Sequence, residues 1–412
     1  MMNKRFMKKL ALMLTLVMAV FVVGCGGGDA GDKDKEKDQG KDAGGKTEAT
    51  ETIKVGVYEP LTGTNAAGGE MTLEGIELAQ KLYPEILGKK VELVVVDNKS
   101  EKQEAANAVD RLINNEKVNI IIGSYGSSLS MAGGPVAKDN KISVIGCSPT
   151  NPAVTLDNPY YFRVCFIDPF QGSVMANYAI DVKSAKTAAI IQDVQQDYSV
   201  GLSNYFVKTF SERNGEASIV AKVNYNTGDK DFSAQLTEVK SKNPDVIFAP
   251  GNFLESGILV AKAREMGIEA PILGGDTWEA QEFLDQVKDF HDIYFSTHFT
   301  AEEPVTKLSG KFMEEFKKAY PDKEVNAFAA LGFDTYLLAK DAIERAGSVD
   351  KEAIRQALAD TKNFEGATGI ITLDENGDAT KTAVIKSVTD GKFIYETKVE
   401  PVVPEAKKEQ KN

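Results

Sequence analysis

The chain has 412 residues, 42% of them hydrophobic, with 61 acidic against 48 basic side chains and a formal charge of −13. That length allows two or three ordinary domains with sizeable cores. The acidic balance argues against nucleic acid as a partner, because basic residues dominate affinity for phosphate backbones.

Lys4, Arg5, Lys8 and Lys9 precede an apolar run from Leu10 to Val23, and Val22-Val23-Gly24-Cys25 follows. A charged start, a short apolar core and a small residue before cysteine predict a secretory signal over residues 1–24, cut to leave a lipid-modified Cys25. The run is shorter than the ~20 residues a membrane-spanning helix needs. Loss of the four signal cations takes the formal charge from −13 to −17. Residues 25–51 hold no aromatic or large aliphatic side chain after Cys25 and read as a disordered tether. Residues 401–412 read as a flexible tail. Such a chain is expected outside the cytoplasm, anchored to the outer face of the cell membrane. Cys147 and Cys165 remain, as a bridge or as free buried thiols.

From Ile53 onward, short Val/Ile-rich runs alternate with longer amphipathic stretches. Ile53 to Tyr58, Val91 to Val96, Asn119 to Gly123 and Ile142 to Gly146 read as parallel strands covered on both faces. Helices are expected near Thr72 to Tyr83, Lys102 to Asn114 and Leu129 to Lys138. A second set follows Phe162 to Phe166, with strands at Ala188 to Gln192, Ser218 to Tyr225, Asp245 to Pro250, Pro271 to Gly274 and Ile293 to Phe299. Its helices are expected near Gly201 to Arg213, Phe232 to Lys242 and Glu255 to Met266. One sheet of nine or ten parallel strands is unusual, so the pattern predicts an α/β protein of two doubly wound, Rossmann-like lobes. Residues 306 to 360 read as mostly helical, with Phe312, Phe316, Tyr320, Phe333, Leu337 and Leu338 in the core. Gly369 to Leu373, the turn Asp374 to Asp378 and Ala383 to Val388 read as a hairpin.

Several chemistries lack their signatures. Neither His291 nor His298 stands in a zinc-ligand spacing, no Gly-x-Ser-x-Gly elbow is present, and neither nucleotide-binding glycine motif occurs. The chain reads as a protein that binds without converting, with no cofactor and no metal. In open α/β sheets ligands sit beyond the carboxyl ends of strands. There Ser124-Tyr125-Gly126-Ser127-Ser128 runs into a helix start, where unpaired N–H groups and the dipole suit an anion; Ser127 is a candidate, and helix capping is the simpler role. Ser148 and Thr150, in a loop fixed by Pro149 and Pro152, are candidates to meet the same ligand as Ser127, and an ordinary turn would use the same residue types. Asp276 ends a strand of the second lobe as a candidate partner for an ammonium, or as a cap.

Ile53 to Gly63 (IKVGVYEPLTG), Ile122-Gly123, Ser127-Ser128, Ser148 to Pro152 (SPTNP), Asp193 to Tyr198, Lys230-Asp231-Phe232 and Gly332-Phe333-Asp334 together resemble the branched-chain amino-acid binding proteins of ABC transporters. The resemblance runs from about Ile53 to Lys398. It implies a type I periplasmic-binding-protein fold with a three-crossover hinge near Phe166, Thr300 and Thr382. Lobe I would hold residues 53–166 and 300–381, and lobe II residues 167–299 and 382–400. It implies a ligand carboxylate held by Ser127, by Ser148 through its backbone and by Thr150, an ammonium held by Thr150 and Asp276, and an aromatic contact from Tyr198. The partners implied are an amino acid and the membrane subunits of an ABC permease, with the chain a monomer. Two departures stand out. Ala66-Ala67-Gly68-Gly69 replaces a bulky aromatic, and Asn252 replaces a common tyrosine, so loss of two rings at Gly68 and Asn252 is expected to enlarge or reshape the side-chain pocket. Trp278 is a candidate to fill that space or to serve as core or lid. Alternatives are a carrier or sensor for an amide, urea or aromatic carboxylate, and a regulatory lipoprotein of a cell-wall enzyme.

Overall fold

The computed structural model describes residues 52–401. The signal segment, Cys25, the tether and the residues beyond Pro401 lie outside the described residues.

In chain order the first part contains β1 (Ile53–Glu59), α1 (Ala66–Leu82), β2 (Glu85–Ile86), β3 (Lys89–Asp97), α2 (Lys102–Asn114), β4 (Ile120–Ile122), α3 (Ser127–Asp139), β5 (Val144–Gly146) and β6 (Tyr161–Arg163). These strands form one sheet in the order β2-β3-β1-β4-β5-β6. All its pairings are parallel except that of the short β2 with β3. The central β4 and β5 are entirely buried, as strands sandwiched between helices must be. β3, expected to be covered on both faces, is buried only at Val91 and Val96, because it lies next to the edge.

The second part runs α4 (Asp168–Asp181), β7 (Ala188–Asp193), α5 (Asp197–Asn214), β8 (Ile219–Tyr225), α6 (Ser233–Lys242), β9 (Val246–Phe248), α7 (Phe253–Glu265), β10 (Ile272–Gly274), α8 (Gln281–Val287) and β11 (Ile293–Thr297). It is followed by α9 (Lys307–Ala319), α10 (Ala327–Ala346), α11 (Lys351–Ala359), β12 (Phe364–Gly366), β13 (Gly369–Ile371), β14 (Ala383–Thr389) and β15 (Lys392–Val399). The second sheet has the order β15-β14-β11-β10-β9-β7-β8, five parallel strands with an antiparallel extension on one side. The fold is thus α/β with two parallel-dominated, Rossmann-like lobes. The chain passes between the sheets after β6, after β11 and before β14.

Helix α10 returns to the first sheet because it packs on α1. A Cβ on Gly75 would stand 1.8 Å from the Ala329 carbonyl oxygen, and one on Gly332 would stand 2.1 Å from that of Thr72. Only glycine at these positions lets the two backbones approach so closely. The aromatics Phe312, Phe316 and Phe333 lie fully buried in the core beside them. Helix α1 starts at Ala66, six residues before the expected Thr72. Glycine disfavours helix locally, yet Gly69 is pressed against Pro60, whose carbonyl oxygen would be 2.0 Å from a Cβ. Tertiary contact overrides propensity there.

The hairpin expected from Gly369 to Val388 is not formed. β13 pairs back onto β12, and β14 pairs with β11 and β15. The turn survives, closed by a Leu373–Ala379 bridge and by Asp374 accepting the Asn376 and Asp378 N–H groups. β14 is buried from Ala383 to Val388, and its pairing with β11 on one edge and β15 on the other satisfies backbone groups on both edges, which a free hairpin would leave open on one. Cys147 and Cys165 are free, buried thiols.

Arg163 ties the end of β6 to that turn. Fully buried, it donates to Asp378 Oδ1 at 2.6 Å, to the Pro149 and Asn151 carbonyls at 2.6 and 2.9 Å, and to Thr155 Oγ1 at 2.7 Å. Arg163→Ala would strand all of these acceptors. It should lower the unfolding free energy by about 3 to 5 kcal/mol in denaturant titration; a loss below about 1 kcal/mol would show that the loop does not depend on it.

Candidate functional site

Strand ends of both sheets face one cleft of about 400 Å³, counted with its open mouth. One wall carries Asn65, Tyr125, Gly126, Ser127 and Ser148; the other carries Gln196, Tyr198, Asn252, Asp276 and Thr277.

On the first wall, α3 begins at Ser127 with no side-chain cap bond, so Ser127 is not the cap that its residue type suggests. Its hydroxyl accepts the Asn151 N–H at 3.1 Å and keeps its own proton to donate. The first-turn N–H groups of α3 lie at the same place, and such groups have no intrahelical acceptor. Ser148 Oγ has no hydrogen-bond partner among the described residues. Thr150 does not line the cleft. It is fully buried one layer behind, and its carbonyl accepts the Asp168 N–H at 2.9 Å.

On the second wall, Asp276 opens a single 3₁₀ turn and makes no cap bond. Its carboxylate is 1% exposed as a residue and is held by the protein itself. Oδ1 accepts from Gln171 Nε2 at 2.8 Å and from the Tyr198 hydroxyl at 2.9 Å, and Oδ2 lies 3.2 Å from His298 Nε2. A carboxylate accepts about four hydrogen bonds, so one acceptor site on Oδ2 is left for a ligand. Burial lowers the His298 pKa, although Asp276 opposes the shift. A neutral ring must place its proton on Nε2 to donate to Asp276.

Asp168 adds a second carboxylate to this end. Neither of its oxygens has a hydrogen-bond partner among the described residues, and neither does Thr150 Oγ1. Burial pushes Asp168 up to about 8; neighbouring Thr150 draws it down, Asp276 raises it further and Arg163 lowers it. A positive group arriving beside Asp168 would favour its ionised form.

The lips of the cleft touch. Asp197 Oδ2 accepts from Ser128 Oγ at 2.8 Å and from Lys102 Nζ at 3.0 Å, and the Asp197 carbonyl accepts from Asn151 Nδ2 at 2.8 Å. Asn252 accepts the Tyr125 hydroxyl at 3.2 Å and donates to the Thr64 carbonyl at 3.3 Å and to Asn65 Oδ1.

Two expected cleft residues lie elsewhere. Trp278 is fully buried and stacks on Phe283 at 4.6 Å; Gly274 lies so close that a Cβ there would fall 2.2 Å from the indole, so Trp278 is core. Gly68 sits behind the wall, where a Cβ would fall 2.3 Å from the Tyr125 ring. That ring fills the room that the missing aromatic was expected to leave. Sequence reasoning missed Tyr125, Asn65, Gln196, Thr277, Gln171, Asp168 and His298. Tyr125 lies inside the loop singled out for its serines, and His298 follows β11, so the strand-end rule applied to every residue would have found both.

A family profile described as periplasmic binding protein matches residues 52–392. A Leu/Ile/Val-binding protein of Rhizobium johnstonii is 30% identical over 335 residues, 80% of this chain and 89% of that one. The crystal structure of a leucine-binding protein of Thermotoga maritima is 42% identical, with a TM-score of 0.81 over 85% of this chain and 99% of that one. A branched-chain amino acid transporter substrate-binding protein of Streptococcus pneumoniae, in complex with isoleucine, is 34% identical, with a TM-score of 0.80 over 85% and 100%. With this profile, these relatives and a polar cleft between two Rossmann-like lobes, the chain belongs to the type I periplasmic binding proteins.

Proposed function

We propose that the protein is the extracytoplasmic binding component of an ABC importer, taking an α-amino acid, preferably branched-chain, between its lobes and performing no chemistry. The observation that carries this reading is the polarity of the cleft. A helix start with the uncommitted hydroxyl proton of Ser127 and the unpartnered hydroxyl of Ser148 stands on one wall, and the Asp276 carboxylate, with an acceptor site left, stands on the other. That pair of walls complements a zwitterion.

In this reading the ligand carboxylate lies at Ser127 and Ser148 and the ammonium at Asp276, with Asp168 and Thr150 reinforcing it from behind. Lobe I (53–166 and 300–381) and lobe II (167–299 and 382–400) rotate about the three crossovers. Closure is favoured by contacts that exist only in the closed form. Cys25 carries the lipid anchor, the tether keeps the clamp near its permease, and the protein acts as a monomer.

Isothermal titration of the twenty amino acids into the protein should give binding for leucine, isoleucine or valine; silence across the panel would sink the proposal. Asp276→Asn keeps the shape and removes the charge facing a buried ammonium. It should weaken the ligand by about 3 kcal/mol, a hundredfold or more, and unchanged affinity would place the ammonium elsewhere.

Binding should also depend on pH. With Asp168 at about 8 in the empty cleft, an ammonium must displace its proton below that value. Affinity should therefore rise from pH 6 to pH 8 and level off above, with proton release detected in buffers of different ionisation enthalpy. Asp168→Asn should flatten the profile, and a flat profile in the unchanged protein would exclude the linkage.

A further inference from the structure

On the amino-acid reading, we infer that Tyr125 is the residue that sets the size of the ligand side chain, and that it does so by coupling cleft depth to lobe closure. The recognition end of the cleft uses groups that any α-amino acid satisfies, so discrimination belongs to the other end. There the chain lacks the two rings expected at Gly68 and Asn252, and one ring from a different element stands in their place.

Tyr125 is 2% exposed and held on four sides. Its N–H donates to the buried Glu59 Oε2 at 2.6 Å. Its ring meets the edge of Phe328 at 5.1 Å and 69°. Behind it lies Gly68, where a Cβ would fall 2.3 Å from the ring. In front, its hydroxyl crosses the cleft to Asn252 at 3.2 Å. A ring fixed this way cannot swing aside for a larger ligand. A side chain that reaches past it would also break the Tyr125–Asn252 hydrogen bond and forfeit part of the closed state's advantage. Compact aliphatic side chains are admitted; an aromatic side chain is penalised through depth and through closure.

The test is titration of leucine and phenylalanine into the unchanged protein and three variants, with thermal unfolding as the check on folding. The unchanged protein should prefer leucine. Tyr125→Ala should shift the leucine-to-phenylalanine affinity ratio toward phenylalanine by about tenfold or more. Tyr125→Phe keeps the ring and loses only the cross-cleft bond, which the leucine complex retains and the phenylalanine complex forfeits, so it should weaken leucine by about three- to tenfold, leave phenylalanine nearly unchanged and move the ratio toward phenylalanine by that factor. Gly68→Ala, at a helical position that otherwise tolerates alanine, should displace the ring and narrow the ratio, which keeps the test open if Tyr125→Ala folds poorly. A ratio unchanged in both Tyr125→Ala and Gly68→Ala overturns this inference alone. A protein that binds neither ligand, nor any other amino acid, overturns it together with the reading on which it rests.

Discussion

Asp276 sits where a carboxylate is expensive to keep. It is buried, and a buried charge is tolerated only when hydrogen-bond donors replace the water it has lost. Here the donors come from three separate elements: Gln171 on α4, Tyr198 at the start of α5, and His298 just beyond β11. Gln171 also donates to Ser296 Oγ at 2.9 Å, and His298 stacks on Phe166 with ring centroids 3.8 Å apart. Phe166 and His298 each lie where the chain changes sheet. The charge in the cleft and the positions of two crossovers therefore share one set of contacts.

The contacts that close the lips are chemically distinct from this knot. Lys102 and Asp197 form an exposed pair, of the kind that contributes little by itself. Burial would raise the Asp197 pKa, but Ser128 and Lys102 hold it below the usual carboxylate value. Asn252 is bonded on both its oxygen and its nitrogen across the cleft, without net charge. In the proposed clamp, the protein would thus supply part of the closing interaction itself, and a ligand would contribute the remainder. A modest number of ligand contacts can then shift the equilibrium between arrangements.

Legibility in the sequence followed local periodicity. Helix α2 lies at the expected residues, and β4, β5, β9 and β10 fall inside the expected runs, because continuous Val/Ile between turn signals has few other stable uses. What failed depended on packing partners outside the segment's own periodic pattern. The start of α1 is set by Pro60, the partner of β14 by the open edge of β11, and the place of Trp278 by Gly274 and Phe283. None of these neighbours is marked in the segment that responds to it.

The site divides along the same line. Ser127, Ser148 and Asp276 were placed at the cleft because strand ends and helix starts in an α/β sheet present polar groups to a crevice, a rule that needs only element order, whereas Asn252 was singled out only through the family resemblance. Tyr125 in place of the missing rings, Thr150 and Asp168 in the layer behind, and His298 on the far side of Asp276 were decided by tertiary structure, since each is defined by what packs against it. Sequence alone determined the alternation of strands and helices, the acidic surface and the two-lobed architecture, all of which follow from composition and period. The folded chain decided the depth of the cleft and the electrostatics of its charged end, because both depend on burial, and burial is a property of contacts between residues far apart in the chain.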